Sequence, residues 1–304
     1  MTKADTALLK AASYSNSFKT IDPRAESTGF RTYAYRHGGL GLSSAPYLAD
    51  EFLLNTRLQR YDRENQVSIE SYFCDASIVM LSMQGLEPED EESVTLPPGV
   101  PLQMELSTAL ARRRSCRMYT GDSIDLDVLA SLLRCAAAVT AEMDITLAQG
   151  GHSTYRLRTT PSAGGLYPVD IHPVVLNVCD LERGCYRYNP VTDRLYRRGD
   201  ATMVEQVLRG FAVTDDAISL SRANVIFLFV AQPWKSMRKY GNRGMRFVLQ
   251  EVGAMSMNVA LATAAVGLGS VDCASVYEDE IHEALGVDGV FQTLLHTIVV
   301  GHPG

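Results

Sequence analysis

The sequence predicts an α+β layered fold: a mixed β-sheet flanked by helices, with a smaller N-terminal region ahead of it. Three observations carry this. Val225–Val230 is an unbroken apolar run, the pattern of a strand buried on both faces, and Leu294–Val300 reads as a final buried strand. Helix-spaced apolar residues alternate with such runs, which calls for a sheet covered by helices. An acidic tract ending in Pro97-Pro98-Gly99 cannot bury apolar surface and divides the chain near residue 95. Residues 1–95 are then an accessory region, and residues 96–304 the main domain.

Taken in order, residues 1 to about 40 are polar and irregular, with Gly38, Gly39 and Gly41 marking a loop. Pro46 to about Tyr61 reads as a helix through Leu48, Phe52, Leu53 and Leu58. Val67–Met83 has no clear period, and residues 85–101 read as a linker. Met104–Arg114 is a helix with a basic end. Asp125 is placed to cap a helix running to about Thr140. Ile171–Val178 is a strand, and Cys185–Tyr188 with Arg194–Arg197 form a hairpin. Ala201–Gly210 is a short helix, 241–266 a long one, Val271–Val276 a strand and Glu278–Leu285 a helix.

Composition bounds the function. The chain has 304 residues, 46% of them hydrophobic, enough for a sizeable core. Its 28 basic and 35 acidic residues leave a net charge of −7, which disfavours a general nucleic-acid binder. Six cysteines (Cys74, Cys116, Cys135, Cys179, Cys185, Cys273) show no CxxC spacing and read as reduced core thiols, with no metal site expected. Met1–Lys19 lacks a secretory pattern, so the cytosol is the expected compartment. Val252–Val271 is uncharged over a membrane-spanning length, yet its Gly, Ala, Ser, Thr and Asn content favours a buried helix instead.

Three stretches carry chemistry. Arg113, Arg114, Ser115 and Arg117 concentrate guanidinium forks and a hydroxyl, which suit a phosphate; a solvated helix end is the plainer alternative. In Pro161–Pro168, Ser162, Gly164 and Gly165 let backbone approach a flat ligand, or simply make a turn. Lys239 and Tyr240 can move protons where burial shifts their pKa values, although such a pair is common on surfaces. The helix that follows is thin (Gly253, Ala254, Ser256, Ala260, Ala262, Ala264, Ala265), which suits a close partner helix, a second subunit or the core. The turn Gly267-Leu268-Gly269-Ser270 then opens a strand whose edge N–H groups can meet a ring.

Together, RRRSCRMY, PSAGGLYP and KYGNRGMRFVLQEVGAMSMNVALATAAVGLGSV resemble the SagB-type dehydrogenases of the FMN-dependent nitroreductase superfamily, over roughly residues 104–302. ADEFLLNTRL, residues 49–58, is similar to their N-terminal region. The resemblance implies a nitroreductase-like fold and an intimate homodimer with FMN at its interface. It implies oxidation of thiazolines and oxazolines to thiazoles and oxazoles in a ribosomally made precursor peptide, with a cyclodehydratase partner. Carried over by position, Arg113, Arg114, Ser115 and Arg117 form the FMN-binding basic turn. Pro161, Ser162, Ala163, Gly164 and Gly165 cradle the flavin together with Leu268 and Gly269, and the Ala274 amide, in the strand after GLGS, faces flavin N5. Lys239 and Tyr240 are the catalytic pair, Tyr240 taking the ring proton with help from Lys239. Two departures stand out: Ala254-Met255 replaces a Gly-His-like pair, and Gly301-His302-Pro303-Gly304 lacks a basic tail. Other chemistries of the same pocket stay open: reduction of dehydroamino acids in lanthipeptides, oxidation of a carrier-bound azoline, or nitro and quinone reduction. So does a scaffold that binds flavin or peptide without turnover.

Overall fold

A computed structural model describes residues 48–58, 60, 67–69, 72, 92–146 and 152–304. Seven strands form the main sheet in the order β1-β6-β5-β4-β7-β9-β8. They are β1 (Ser93–Thr95), β4 (Val169–Val175), β5 (Gly184–Asn189), β6 (Arg194–Gly199), β7 (Val225–Ala231), β8 (Gly269–Asp272) and β9 (Thr293–Gly301). Every pairing of these strands is antiparallel; parallel geometry enters at the isolated bridges Ser115–Ser270 and Ile124–Val178. The described helices are α1 (Leu48–Asn55), α2 (Leu106–Arg112), α3 (Leu126–Ala137), α4 (Ala201–Arg209), α5 (Pro233–Tyr240), α6 (Gly244–Ala265) and α7 (Glu278–Leu285).

The central strand explains its own sequence. All seven residues of β7 are buried. Val225, Phe227, Phe229 and Ala231 pack with Leu129, Leu132 and Leu133 of α3 and Val248, Val252 and Met255 of α6. Ile226, Leu228 and Val230 pack on the other side with Val204 and Val207 of α4 and Ile281 of α7. With helices on both faces, no position of the strand is left for a polar side chain.

Local signals fix the flanking elements. Asp200 caps α4 by accepting from the backbone N–H groups of Thr202 and Met203. Asn189 closes the β5–β6 hairpin by accepting from the N–H groups of Val191 and Thr192. Gly267, at φ +77°, ends α6 in the left-handed conformation, and the N–H of Leu268 returns 2.8 Å to the carbonyl of Thr263.

Several expectations need correction. The proposed linker 85–101 contributes β1, paired with β6, and Leu96 lies in the core. Asp125 makes no capping hydrogen bond, and α3 stops at Ala137. From there a separate hairpin begins: β2 (Val139–Thr146) pairs with β3 (His152–Arg158). A further helix, α5, precedes the long one, so Lys239 and Tyr240 end a helix. The strand expected over 271–276 is β8 and ends at Asp272, which leaves Ala274 exposed in the following loop. Val67–Met83 lies mostly outside the described residues, and residues 1–47, including the glycine loop, wholly so. Pro233–Ala265 is long and apolar enough to cross a membrane, but it breaks at Gly241–Arg243 and half of its apolar window is buried within the chain.

Candidate functional site

The strand register sorts the predicted residues into two groups. Val169, Ala231 and Thr293 lie side by side at one end of the sheet. Val175, Val225 and Val300 lie at the other, where Gly269 pairs with Gly301. Pro161–Gly165 feeds the first end, and the arginine turn joins the second through the Ser115–Ser270 bridge. The nine residues of β9 separate these ends, a distance of about 26 Å.

At the first end, Gly164 meets the Lys-Tyr pair. It sits at φ +67°, and a Cβ there would stand 2.6 Å from Tyr240 Oη and 2.9 Å from Lys239 Nζ. Both polar atoms therefore converge on one point of the Pro161–Gly165 backbone, 75 residues away in sequence. The glycine is required by these two side chains as well as by its left-handed backbone.

The pair is enclosed by aromatic rings. The Tyr240 ring packs edge-on against Phe247 at 5.0 Å. Tyr155, on β3, lies where a Cβ on Gly165 would stand 2.9 Å from its ring. Lys239 Nζ lies 5.1 Å from the Tyr72 ring centre and 5.4 Å from that of Tyr240. Burial pulls the Lys239 pKa below the ordinary lysine range. Burial, then the neighbouring Tyr155, pushes the Tyr240 phenol above the ordinary tyrosine value. At neutral pH the phenol keeps its proton, and the lysine gives its proton up more readily than usual.

Behind this wall stands a buried acid. Glu251, on α6, lies near Ser162 and the backbone N–H of Val169, both of which favour its charged form. Burial raises its pKa to about 7, against the opposing pull of Ser162, Arg158, Val169 and Lys235. Ser162 Oγ in turn accepts from the N–H of Tyr167 at 2.9 Å, and the Arg158 guanidinium lies 4.5 Å above the Tyr167 ring. The Ser162 side chain is thus engaged within its own turn.

At the second end, the N–H of Cys116 bonds the carbonyl of Ser270 at 2.9 Å, and a Cβ on Gly269 would stand 2.5 Å from Cys116 Cβ. Tyr119 fastens this turn, its hydroxyl donating toward the carbonyls of Cys116 (2.8 Å) and Val299 (3.1 Å). Arg114 bends back onto the carbonyls of Ala111 and Arg113, capping the end of α2. Arg113, Ser115 and Arg117 make no ion pair or side-chain hydrogen bond among the described residues, and Ser115 and Arg117 are exposed. Two guanidinium groups and a hydroxyl without internal partners are a donor set that fits a phosphate monoester such as that of FMN. Leu268 and Gly269 are buried at this end, and Ala274 is exposed in the loop that follows β8.

Between the two groups, Asp272 at the end of β8 accepts from Ser256 of α6 and bonds His296 Nε2 of β9 at 2.8 Å. Sequence reasoning missed this link, and it missed Tyr72, Tyr155 and Glu251. Only Glu251 left a readable signal: it stands beside Val248, Val252 and Met255 on the apolar stripe of its helix. No cluster able to hold a metal ion occurs among the described residues.

Residues 110–302 match the profile of the Nitroreductase family. A protein of Methanocaldococcus jannaschii provisionally named nitroreductase MJ1384 is 31% identical over 186 residues, 61% of this chain and 86% of its own length. A crystal structure from Ralstonia eutropha JMP134, provisionally described as a nitroreductase, aligns with a TM-score of 0.54 and 23% identity, covering 73% of this chain and 97% of that one. A chain of the E. coli microcin synthetase McbBCD complex, solved with truncated pro-MccB17 bound, aligns with a TM-score of 0.52 and 21% identity, covering 71% and 79%. At these identities the two structures speak to the fold.

Proposed function

The chain belongs to the nitroreductase family of flavoprotein oxidoreductases, and from that premise we propose that it is an FMN-dependent azoline dehydrogenase. Its substrate is a thiazoline or oxazoline ring in a ribosomally made precursor peptide, which it oxidises to the aromatic azole. The observation that carries this reading is the convergence of Lys239 Nζ and Tyr240 Oη on Gly164 inside an aromatic enclosure. A ring-oxidising enzyme has to remove a proton at a fixed place in a site that excludes water, and this arrangement provides such a place.

When bound, FMN supplies the two-electron acceptor that takes the hydride from the ring. Arg113, Ser115 and Arg117 would hold its phosphate, and the Pro161–Gly165 backbone would cradle its ring. The electrostatics favour Lys239 over Tyr240 as the proton acceptor, because burial depresses the lysine and raises the phenol. Tyr240, still protonated, donates to the substrate and orients it. Flat aromatic walls at Tyr155, Tyr240 and Phe247 suit a planar five-membered ring.

Because the phosphate donors and the Lys-Tyr pair of one chain lie at opposite ends of its sheet, each complete site takes one half from each of two copies in a symmetric homodimer. An apolar stripe on α6 supports this: Leu249, Gly253 and Met257 are exposed at four-residue spacing. The residues ahead of β1 are an accessory region that meets the peptide or a cyclodehydratase partner. The fold likeness to a chain of a synthetase complex holding pro-MccB17 accords with a peptide substrate. The test is mass spectrometry of a thiazoline-bearing peptide incubated aerobically with the FMN-loaded protein. The expected result is a loss of two hydrogens per ring. An unchanged peptide mass, with turnover only on NAD(P)H and a nitro or dehydroamino substrate, replaces the proposal with a reductase.

A further inference from the structure

The N-terminal region reaches the catalytic pair itself. Ser68 Oγ donates to the carbonyls of Arg238 (3.2 Å) and Lys239 (3.3 Å), in the last turn of α5. Four residues on, Tyr72 is 3% exposed, with its ring 5.1 Å from Lys239 Nζ. A second attachment lies just beyond the pair. Arg246 donates to Thr56 Oγ1 (2.6 Å) and to the Leu53 carbonyl (2.9 Å), and Arg243 to the Thr56 carbonyl (3.0 Å). Two arginines of the 241–246 stretch thus cap the C-terminal end of α1, where orphan carbonyls favour cations. The N-terminal segment is fastened to the chain on both sides of Lys239-Tyr240.

We infer that Tyr72 is a positioning residue of this site: its ring roofs Lys239, holds the amine beside Tyr240 and Gly164, and keeps water from it. This rests on the reading of Lys239-Tyr240 as the catalytic pair. It gives the N-terminal region a part in building the catalytic pocket, beyond any part in docking. The contact geometry allows an ammonium–ring attraction, and the ring also removes solvent from the amine. A buried lysine has several rotamers, and a fixed wall selects the one that points at the substrate.

The experiment compares wild type, Tyr72→Phe and Tyr72→Ala as full-length, FMN-loaded proteins. Lys239 acetylation by a water-soluble N-hydroxysuccinimide ester is followed by peptide mass spectrometry, beside kcat, KM and flavin content. Tyr72→Ala is expected to raise the Lys239 acetylation rate at least fivefold and to lower kcat at least tenfold, with flavin content unchanged. Tyr72→Phe, which keeps the ring, is expected to restore both. Acetylation of Lys239 in Tyr72→Ala at the wild-type rate overturns the inference. Should the alanine variant not fold, wild type decides: Lys239 labelled as fast as in the urea-unfolded chain also overturns it, and at least tenfold protection upholds it. Labelling needs no peptide substrate, so the roof can stand while the azoline reading fails, and the reverse.

Discussion

Gly164 and Tyr240 are fitted to each other by size: a single added carbon on the glycine would stand 2.6 Å from the phenol oxygen. Gly164→Ala therefore has to displace Tyr240 and Lys239 while also straining a left-handed backbone, which costs about 1 kcal/mol or more. The expected outcome is a folded protein, a few degrees lower in Tm, that turns over at least tenfold more slowly. Steady-state kinetics beside a thermal melt check this, and wild-type kcat in the variant would show that the glycine and the pair are not coupled.

The two members of the pair should respond differently to substitution. Lys239→Met removes the proton acceptor, and general-base losses are typically about 100-fold to 10,000-fold. Tyr240→Phe keeps the ring and should cost at least tenfold while leaving flavin bound. In wild type, kcat should rise with pH through a pKa below the ordinary lysine value, because the depressed amine becomes neutral early. A limb at the free-lysine position would contradict the assignment.

Glu251 predicts a pH-dependent stability. Its folded-state pKa, about 7, lies above the ordinary glutamate value of 4.5. A raised pKa means that the folded state binds the proton more tightly. The contribution is therefore complete below about pH 4.5 and fades as pH rises toward 7. The loss is up to about 3 kcal/mol at roughly 1.4 kcal/mol per unit. Urea titrations at pH 5 and pH 8 should show it, and Glu251→Gln should flatten the difference. Equal slopes with pH in both proteins would contradict the burial argument.

The arginine turn divides its labour. Arg113→Ala and Arg117→Ala should each weaken FMN binding about tenfold or more, since charge-assisted hydrogen bonds contribute roughly 1.5–3 kcal/mol. Arg114→Ala should change it less than threefold and lower stability instead, because that guanidinium caps α2. Quenching of flavin fluorescence reads out the binding changes, and a thermal melt reads out the stability loss of Arg114→Ala.

Much of this was legible in the sequence wherever burial imposed a pattern. β7 is apolar throughout because helices cover both faces, and the β5–β6 hairpin shows through its Asn189 turn. The β2–β3 hairpin was legible and was passed over: Val139, Ala141, Met143 and Ile145 alternate with polar residues, and Tyr155 and Leu157 pair with Met143 and Ala141. α5 was hidden because Lys235, Ser236, Arg238 and Lys239 are buried in it, against the usual rule for such residues. The three motifs mark the candidate site, but nothing in their spacing showed that Gly164 lies against Tyr240, or that Tyr72 and Tyr155 complete the enclosure. Those contacts are made by segments distant in sequence, and aromatic residues look the same in a core as in a pocket.

The central claim is that the Lys-Tyr site passes electrons from an azoline to FMN. Its most direct test is the visible spectrum of the FMN-loaded protein, recorded anaerobically as a thiazoline-bearing peptide is added. Bleaching of the flavin band in proportion to azole formed is the predicted result, with recovery on admitting air. A band that stays oxidised with the peptide and bleaches only with NAD(P)H would contradict the claim.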